Sequence, residues 1–393
     1  MNGNGDRPIR LGVAGLGRAF TIMLPTLARD PRIALVAAAD LRPEARERFA
    51  ADFSAKVYET AEALCADSEV EAIYIATPHQ HHASHALLAA RHGKHLLIEK
   101  PMALSLDDCA RMIEAAQRAN VRLVVGHSHS FDAPIARTRA LVGSGAFGAV
   151  RMITAFNFTD FMYRPRRPEE FDTAQGGGAI FSQGAHQIDI VRLLGGGRVK
   201  SARAVAGAWD HARPSEGAYA ALLTFENGVF ATLTYNGYGH FDSDEFQNWI
   251  GEMGQAKAPN SSRERPQFAD ASQEAAFKNA RSYGGSAYQP TSAQNLVHQH
   301  FGTIIVSCER ADLRPLPDGV MIYQNGAGRL DPLPPPSVPR VEVIDEFYHA
   351  VVEGVPPLHD GAWAMATLEV ALALLRSARE GGDVTVHRQV ALP

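Results

Sequence analysis

From residue 9 to about residue 127, short apolar runs alternate with stretches that carry apolar residues at helical spacing, the rhythm of parallel strands joined by crossover helices. Five strands are predicted, at Ile9–Ala14, Ile33–Ala39, Ala72–Ala76, His95–Ile98 and Arg122–Val125. Each is continuously apolar, as expected of a strand whose sheet is covered on both faces. Helices are predicted between them at Arg18–Arg29, Pro43–Phe53, His82–Arg91 and Leu106–Arg118. The pattern gives residues 1–128 as an α/β domain built on a doubly wound parallel sheet.

Beyond residue 128 the strands become longer and more alternating, as in Arg151–Phe158, Ala218–Phe225 and Val229–Tyr235. Residues 129–393 are therefore expected to form an α+β domain with a large, mainly antiparallel open sheet. Residues 240–299 are polar, rich in Gly, Ser and Gln and weakly periodic, which marks a probable insertion. Pro-rich Leu333–Pro339 suggests a stiff connector, and Val341–Val352 and Ala362–Arg379 suggest two terminal helices.

The bulk composition narrows the function classes. A chain of 393 residues accommodates two domains, and 46% hydrophobic with 21% charged residues is ordinary for a globular protein. No run approaches the roughly 20 apolar residues of a spanning helix, and Met1–Asp6 is short and polar rather than signal-like, so no membrane association and a cytoplasmic location are expected. Cys65, Cys109 and Cys308 lack pairing or metal spacing, which suits buried free thiols in a reducing compartment. A net charge of −5 argues against nucleic acid and anionic membrane as partners and leaves a small molecule as the expected ligand.

The first strand runs through Gly12 into Gly15, Gly17, Arg18, Ala19 and Phe20, where a helical pattern begins, and the second strand ends at Asp40. Glycines there permit a tight turn and close approach of a pyrophosphate to backbone N–H groups at a helix N-terminus, the Rossmann dinucleotide signature. Phe20 departs from it, standing where a third small residue is usual, so Ala19 takes the close contact or the helix packs more loosely. Asp40 should accept hydrogen bonds from the adenosine ribose and repel a 2′-phosphate, favouring NAD over NADP. Arg42, two residues on, partly offsets that repulsion.

The third strand leads into Thr77, Pro78, His79 and His82, the fourth into Glu99-Lys100-Pro101, and a glycine run at 176–178 leads to Ser182, His186 and Asp189. With the glycine turn, these resemble the glucose-fructose oxidoreductase, inositol dehydrogenase and rhizopine catabolism (Gfo/Idh/MocA) family over nearly the whole chain. The resemblance implies an NAD-dependent dehydrogenase in which Lys100 accepts the substrate hydroxyl proton and His186 orients that hydroxyl or relays its proton, unless His186 only starts a helix. It places Thr77, Pro78, His79, His82 and Glu99 with the glycine turn at the cofactor. Inositol-type members carry an aspartate four residues before the histidine; here that position is Ser182, which points to a different substrate pocket. The clustered histidines 79, 81, 82 and 85 are not expected to bind metal, since no convergent Cys or carboxylate set accompanies them.

In the family, the stretch holding Tyr163, Arg164, Arg166 and Arg167 borders the substrate. Three arginines between prolines suit carboxylate recognition through forked hydrogen bonds, or else form a solvated turn neutralised by Glu169 and Glu170. With the Arg310–Pro315 segment this loop is similar to the phthalate 4,5-cis-dihydrodiol (4,5-dihydroxyphthalate) dehydrogenase branch. An anionic cis-dihydrodiol, phthalate 4,5-cis-dihydrodiol first, is thus the expected substrate, with a sugar or inositol, or an NAD-dependent glycosidase reaction, as alternatives. A homodimer or homotetramer is implied as well. His298 and His300 either line the pocket or sit on the surface of the insertion, and Asp242, Asp244 and Glu245 suggest a solvated loop.

Overall fold

The computed structural model describes residues 7–126, 128–259, 265–290 and 297–392; Met1–Asp6 and parts of the predicted insertion, 260–264 and 291–296, lie outside the described residues. The chain divides into two compact units, the first formed by Met1–His127, Phe268–Ala293 and Val338–Met365, the second by Ser128–Gln267, Gln294–Ser337 and Ala366–Pro393. Two stretches of the range 129–393 thus group with the first unit.

Among the described residues of the first unit, six strands form one parallel sheet in the order β3-β2-β1-β4-β5-β6. They are β1 (Ile9–Ala14), β2 (Ile33–Ala39), β3 (Lys56–Tyr58), β4 (Ala72–Ile75), β5 (His95–Ile98) and β6 (Leu123–Val125). The crossovers carry α1 (Arg18–Leu27), α2 (Pro43–Phe53), α3 (Ala61–Ala66), α4 (His82–Arg91) and α5 (Leu106–Arg118). Local chemistry sets their starts: Pro43 opens α2, and the Thr60 and Ser105 hydroxyls accept from the third backbone N–H of α3 and α5. The short edge strand β3 and the single-turn-sized α3 were not predicted, because three residues with one lysine and six residues of helix carry too little periodicity.

Phe20 is explained by the far-off segment 268–293. Its ring is fully buried, edge-on to Tyr283 at 5.1 Å and tilted against Phe49 of α2 at 5.9 Å. The Tyr283 hydroxyl donates to Asp52, and Gly284, at φ +77°, lies so close to α2 that a Cβ there would meet the Ala45 and Glu44 backbone at 2.6 Å. The large residue at 20 therefore fills a space that this returning segment closes.

The second unit holds a nine-stranded sheet in the order β14-β13-β12-β11-β7-β10-β9-β8-β15. Its strands are β7 (Val150–Phe158), β8 (Val199–Gly207), β9 (Ala218–Phe225), β10 (Phe230–Asn236), β11 (Thr303–Cys308), β12 (Asp312–Leu316), β13 (Gly319–Gln324), β14 (Ala327–Pro332) and β15 (Val384–Thr385). Among the described residues only β7 and β10 pair in parallel in this sheet; the other pairs are antiparallel. One face alternates inward with apolar side chains, and the other leaves Val205, Leu222 and Phe230 exposed. The remaining helices are α6 (Ala133–Gly143), α7 (Ala185–Gly195), α8 (Ala271–Ala280), α9 (Val341–Tyr348) and α10 (Gly361–Glu380). Among the described residues no helix is long and apolar enough to cross a membrane.

Candidate active site

In the first unit the carboxyl end of β1 turns through Gly15 into α1. Gly15 has φ +93°, and a Cβ there would stand 2.8 Å from the Ala76 carbonyl oxygen at the end of β4, so neither the turn nor the neighbour tolerates a side chain. Gly17, the N-cap of α1, has open space where a Cβ would be, and no side chain caps the helix. An open glycine before an uncapped helix N-terminus fits a dinucleotide pyrophosphate. Arg18 is exposed and Ala19 half-buried beside this opening. Gly12 lies deeper, within β1, where a Cβ would press on Val70, Ile73 and Leu64 at 3.0–3.1 Å; its smallness serves packing under the sheet.

Asp40, at the end of β2, accepts the Leu16 N–H at 2.7 Å through one oxygen and the Arg42 N–H and Nε at 2.9 and 3.1 Å through the other. Arg42 also donates to the Leu16 and Tyr283 carbonyls. The carboxylate thus fixes the glycine turn and pins Arg42 beside it. Asp40→Ser should remove the negative charge and release Arg42, so the ratio of kcat/KM for NAD to that for NADP should fall by about 10-fold or more. Steady-state kinetics with both cofactors checks this; an unchanged ratio would remove Asp40 from cofactor discrimination.

The β4 end continues as Thr77-Pro78 into a short 3₁₀ turn (His79–His81) and α4. His82 is fully buried, its Nδ1 2.9 Å from the Pro101 carbonyl and its Nε2 2.9 Å from the Thr77 carbonyl, so the ring packs between the Thr77 turn and the Lys100 turn and, when neutral, donates to one of the two carbonyls. Burial lowers its pKa against the opposing pull of those carbonyls. Thr77 Oγ1 pairs with His85 Nδ1, the His79 ring meets that of His82 edge-on, and the His81 and His85 rings stack. Among the described residues no group of three His, Cys, Asp or Glu side chains is placed to hold a metal ion. At the end of β5 the Glu99 carboxylate is buried and accepts from the Tyr74 hydroxyl, Lys100 is half-buried, and the Lys100–Pro101 bond is cis.

In the second unit Glu216 and the Glu170 backbone leave no room for side chains at Gly178 and Gly177. A Cβ at Gly178 would lie 2.2 Å from the Glu216 carboxylate, which accepts from Thr173 Oγ1 and from the Ile180 N–H. That N–H opens a five-residue π-helical turn, Ile180–Gly184, bearing half-buried Ser182 and passing straight into α7. His186, in the first turn of α7, is buried; its Nδ1 accepts the His129 backbone N–H at 3.4 Å, and its ring stands 4.8 Å from both the His129 and Phe301 rings. The accepting Nδ1 leaves the proton of the neutral ring on Nε2.

Sequence reasoning missed His129 and the carboxylates around it. His129 Nδ1 lies 2.7 Å from Asp132 and its Nε2 3.6 Å from Glu252. Burial disfavours the imidazolium, but Asp132 and Glu252 outweigh that and raise its pKa; burial likewise opposes ionisation of Glu252, but His129 and Arg164 reverse it and hold the carboxyl well below its usual range. His129 follows β6 by only a few residues, a position where chemistry often sits in open α/β folds, and that was the usable signal. Glu252 comes from the weakly periodic stretch 240–299 and carried none.

The three arginines differ. Arg166 is largely buried, stacks on the Phe161 ring at 3.7 Å and donates to the Phe161 carbonyl at 2.8 Å. Arg167 lies 3.8 Å from Glu169 and 3.9 Å from Glu170, whose carboxylate also accepts the Arg167 N–H. Arg164 is 44% exposed, and its nearest acidic oxygens are on Asp160 at 3.4 Å and Glu252 at 3.7 Å. Tyr163 lies under the Arg265 guanidinium, 3.8 Å from its ring centre.

In the stretch 240–299 one expectation is corrected, and of the two alternatives for His298 and His300 the surface one is decided against. Asp242 and Asp244 do not form a solvated loop: both hold Lys257, and Asp244 is buried. His298 and His300 are buried and face the Pro334 and Ile250 carbonyls, so they brace loops rather than lying on the surface.

Residues 9–127 match the family model described as "Oxidoreductase family, NAD-binding Rossmann fold", and 135–257 match its "GFO/IDH/MocA C-terminal domain". The chain is 48% identical over 382 residues, 95% of each chain, to the 1-carboxy-3-chloro-3,4-dihydroxycyclohexa-1,5-diene dehydrogenase of Comamonas testosteroni. A solved protein of Bordetella bronchiseptica RB50 superposes with a TM-score of 0.89 at 40% identity, over 96% of this chain and 100% of that one. The WlbA dehydrogenase of Bordetella pertussis shares the fold, with a TM-score of 0.68 at 23% identity over 97% and 99%. The chain belongs to the GFO/IDH/MocA oxidoreductases and is an NAD-dependent dehydrogenase.

Proposed function

We propose that this dehydrogenase oxidises a cis-dihydroxycyclohexadiene carboxylate to the corresponding catechol carboxylate, with phthalate 4,5-cis-dihydrodiol, giving 4,5-dihydroxyphthalate, as the first candidate. The observation that carries the proposal is Arg164: its side chain is the most exposed of the three, 44% against 12% for Arg166 and 34% for Arg167, and it is linked through Glu252 and His129 to His186. The 48% identity to a dehydrogenase whose name specifies a dihydroxycyclohexadiene bearing a carboxyl group supports the same class.

Bound NAD would supply the hydride acceptor; Gly15, Gly17 and the α1 N-terminus would hold its pyrophosphate and Asp40 its ribose. The carbinol carbon gives up hydride while Lys100 takes the hydroxyl proton, leaving a ketone. His186 donates from Nε2 to the reacting oxygen, and Arg164 holds the carboxylate by charge-assisted hydrogen bonds. The ketone then enolises, and aromatisation of the ring makes the oxidation favourable. The exposed apolar residues Val205, Leu222 and Phe230 on one face of the second sheet support assembly into a homo-oligomer.

The test is a substrate panel followed by NADH absorbance: phthalate 4,5-cis-dihydrodiol, a monocarboxylate dihydrodiol, a neutral dihydrodiol, inositol and glucose. The expected order in kcat/KM places a carboxylate dihydrodiol first. Inositol or glucose in first place would return the protein to the polyol dehydrogenases.

A further inference from the structure

His186 is held by residues the dehydrogenase reaction has not yet used. Residues 186 and 189 lie one helical turn apart on α7, and the consecutive residues 129 and 130 engage both: the His129 N–H donates to His186 Nδ1, and the Ser130 hydroxyl to Asp189. The second Asp189 oxygen accepts from Thr367, so this anchor is itself fixed. The His129 side chain is inaccessible and lies between two carboxylates, Asp132 on Nδ1 and Glu252 on the Nε2 side. Only an imidazolium carries a proton on both nitrogens to offer them.

We propose that His129, charged and clamped between Asp132 and Glu252, is a positioning residue that fixes His186 with Nδ1 as acceptor and Nε2–H directed to the substrate oxygen. This rests on the role given to His186 above. The clamp acts in two ways. It holds the 3₁₀ turn at residues 129–131 in place, so the backbone N–H stays on His186 Nδ1. It also sets a positive charge one ring away from His186, which opposes protonation of His186 itself and keeps that ring in the single neutral tautomer.

The groups facing His129 are Asp132, Glu252 and His186. Behind Glu252 stand Arg164 at 3.7 Å and His300, whose ring is 3.8 Å from Asp244. Of these, Asp132 and Glu252 raise the His129 pKa, so its charge persists to higher pH than that of an ordinary histidine. Removing one carboxylate lowers that pKa. The charge is then lost at lower pH, a lone pair faces the remaining carboxylate, and the turn relaxes.

The experiment is the pH dependence of kcat for Glu252→Gln, Glu252→Asp and Asp132→Asn, each also made in a His186→Asn background, with thermal melting as a check on folding. Expected is a loss of about 10-fold in kcat at neutral pH for Glu252→Gln, with the alkaline fall in kcat displaced to lower pH. KM for NAD should stay within about 2-fold of wild type. Glu252→Asp keeps the charge and should restore the wild-type alkaline limb. In the His186→Asn background the Glu252→Gln loss should disappear, because the effect runs through His186. A uniform loss at every pH, or equal losses with and without His186, would overturn the clamp and leave Glu252 structural. Should Glu252→Gln fail to fold, Asp132→Asn is read by the same criteria. If His186→Asn alone retains full kcat, the role of His186 falls instead, which separates the two failures.

Discussion

Lys100→Met should lower kcat by at least about 10²-fold while NAD binds with nearly unchanged affinity. The expectation follows from where the chain puts this lysine. It is the second residue after β5, at the carboxyl edge of a parallel sheet, the edge on which ligands of open α/β folds bind. The glycine turn, which would receive the pyrophosphate, opens at the same edge, since Gly15 lies against the carbonyl of Ala76, the residue after β4. The buried His82 ring packs between the Thr77 and Pro101 carbonyls, beside the lysine turn. Methionine keeps the length and apolar stem of lysine but cannot take a proton. A residue that acts only as the hydroxyl proton leaves should matter to kcat and hardly to the affinity for NAD. Steady-state rates together with a fluorescence titration of NAD measure both quantities. A kcat within about 3-fold of wild type would show that another group, His186 first among them, is the base.

Arg164→Ala should cut kcat/KM by about 10- to 100-fold on a carboxylate dihydrodiol and leave a neutral dihydrodiol almost unaffected. Hydrogen bonds to a charged group contribute about 1.5–3 kcal/mol each, and that range converts to such a factor. The structure supplies the control. Arg166 is committed to the Phe161 ring and carbonyl, so truncating it should affect charged and neutral substrates alike, through the loop it braces, whereas Arg167, whose nearest carboxylates lie at 3.8 and 3.9 Å, is tested beside Arg164. Arg164→Lys keeps the charge without the fork and should fall between wild type and alanine. Equal losses on both substrates for Arg164→Ala would make it a structural arginine as well, and selective loss at Arg166 instead would move the carboxylate contact along the loop.

The contrast among these arginines marks where the sequence stopped being informative. Three arginines in four residues announce a cationic loop, but which of them are neutralised depends on Glu170 folding back in its own 3₁₀ turn and on Glu252 arriving from about ninety residues away. Local pattern served well where burial is symmetric: the continuous apolar runs of β1, β2 and β5 match their predicted bounds, as do α2, α4 and α5. It failed where a few residues borrow their stability from distant partners. Tyr283 is such a case, a tyrosine in a weakly periodic stretch that completes the packing around Phe20. The glycine turn, Asp40 and the Glu-Lys-Pro tripeptide were legible because their spacing from strand ends is set by local backbone geometry. The His129 clamp was not, since its carboxylates are separated by some 120 positions and meet only in the folded chain.

The most direct measurement of the central claim is the product balance of the purified enzyme with NAD and phthalate 4,5-cis-dihydrodiol or a monocarboxylate cis-dihydrodiol. NADH would be read by absorbance and the aromatic product by chromatography. One NADH formed for each catechol carboxylate, with the product absent when NAD is omitted, is the predicted result. Turnover without net NADH, or NADH formed from inositol or glucose faster than from either carboxylate dihydrodiol, would contradict it.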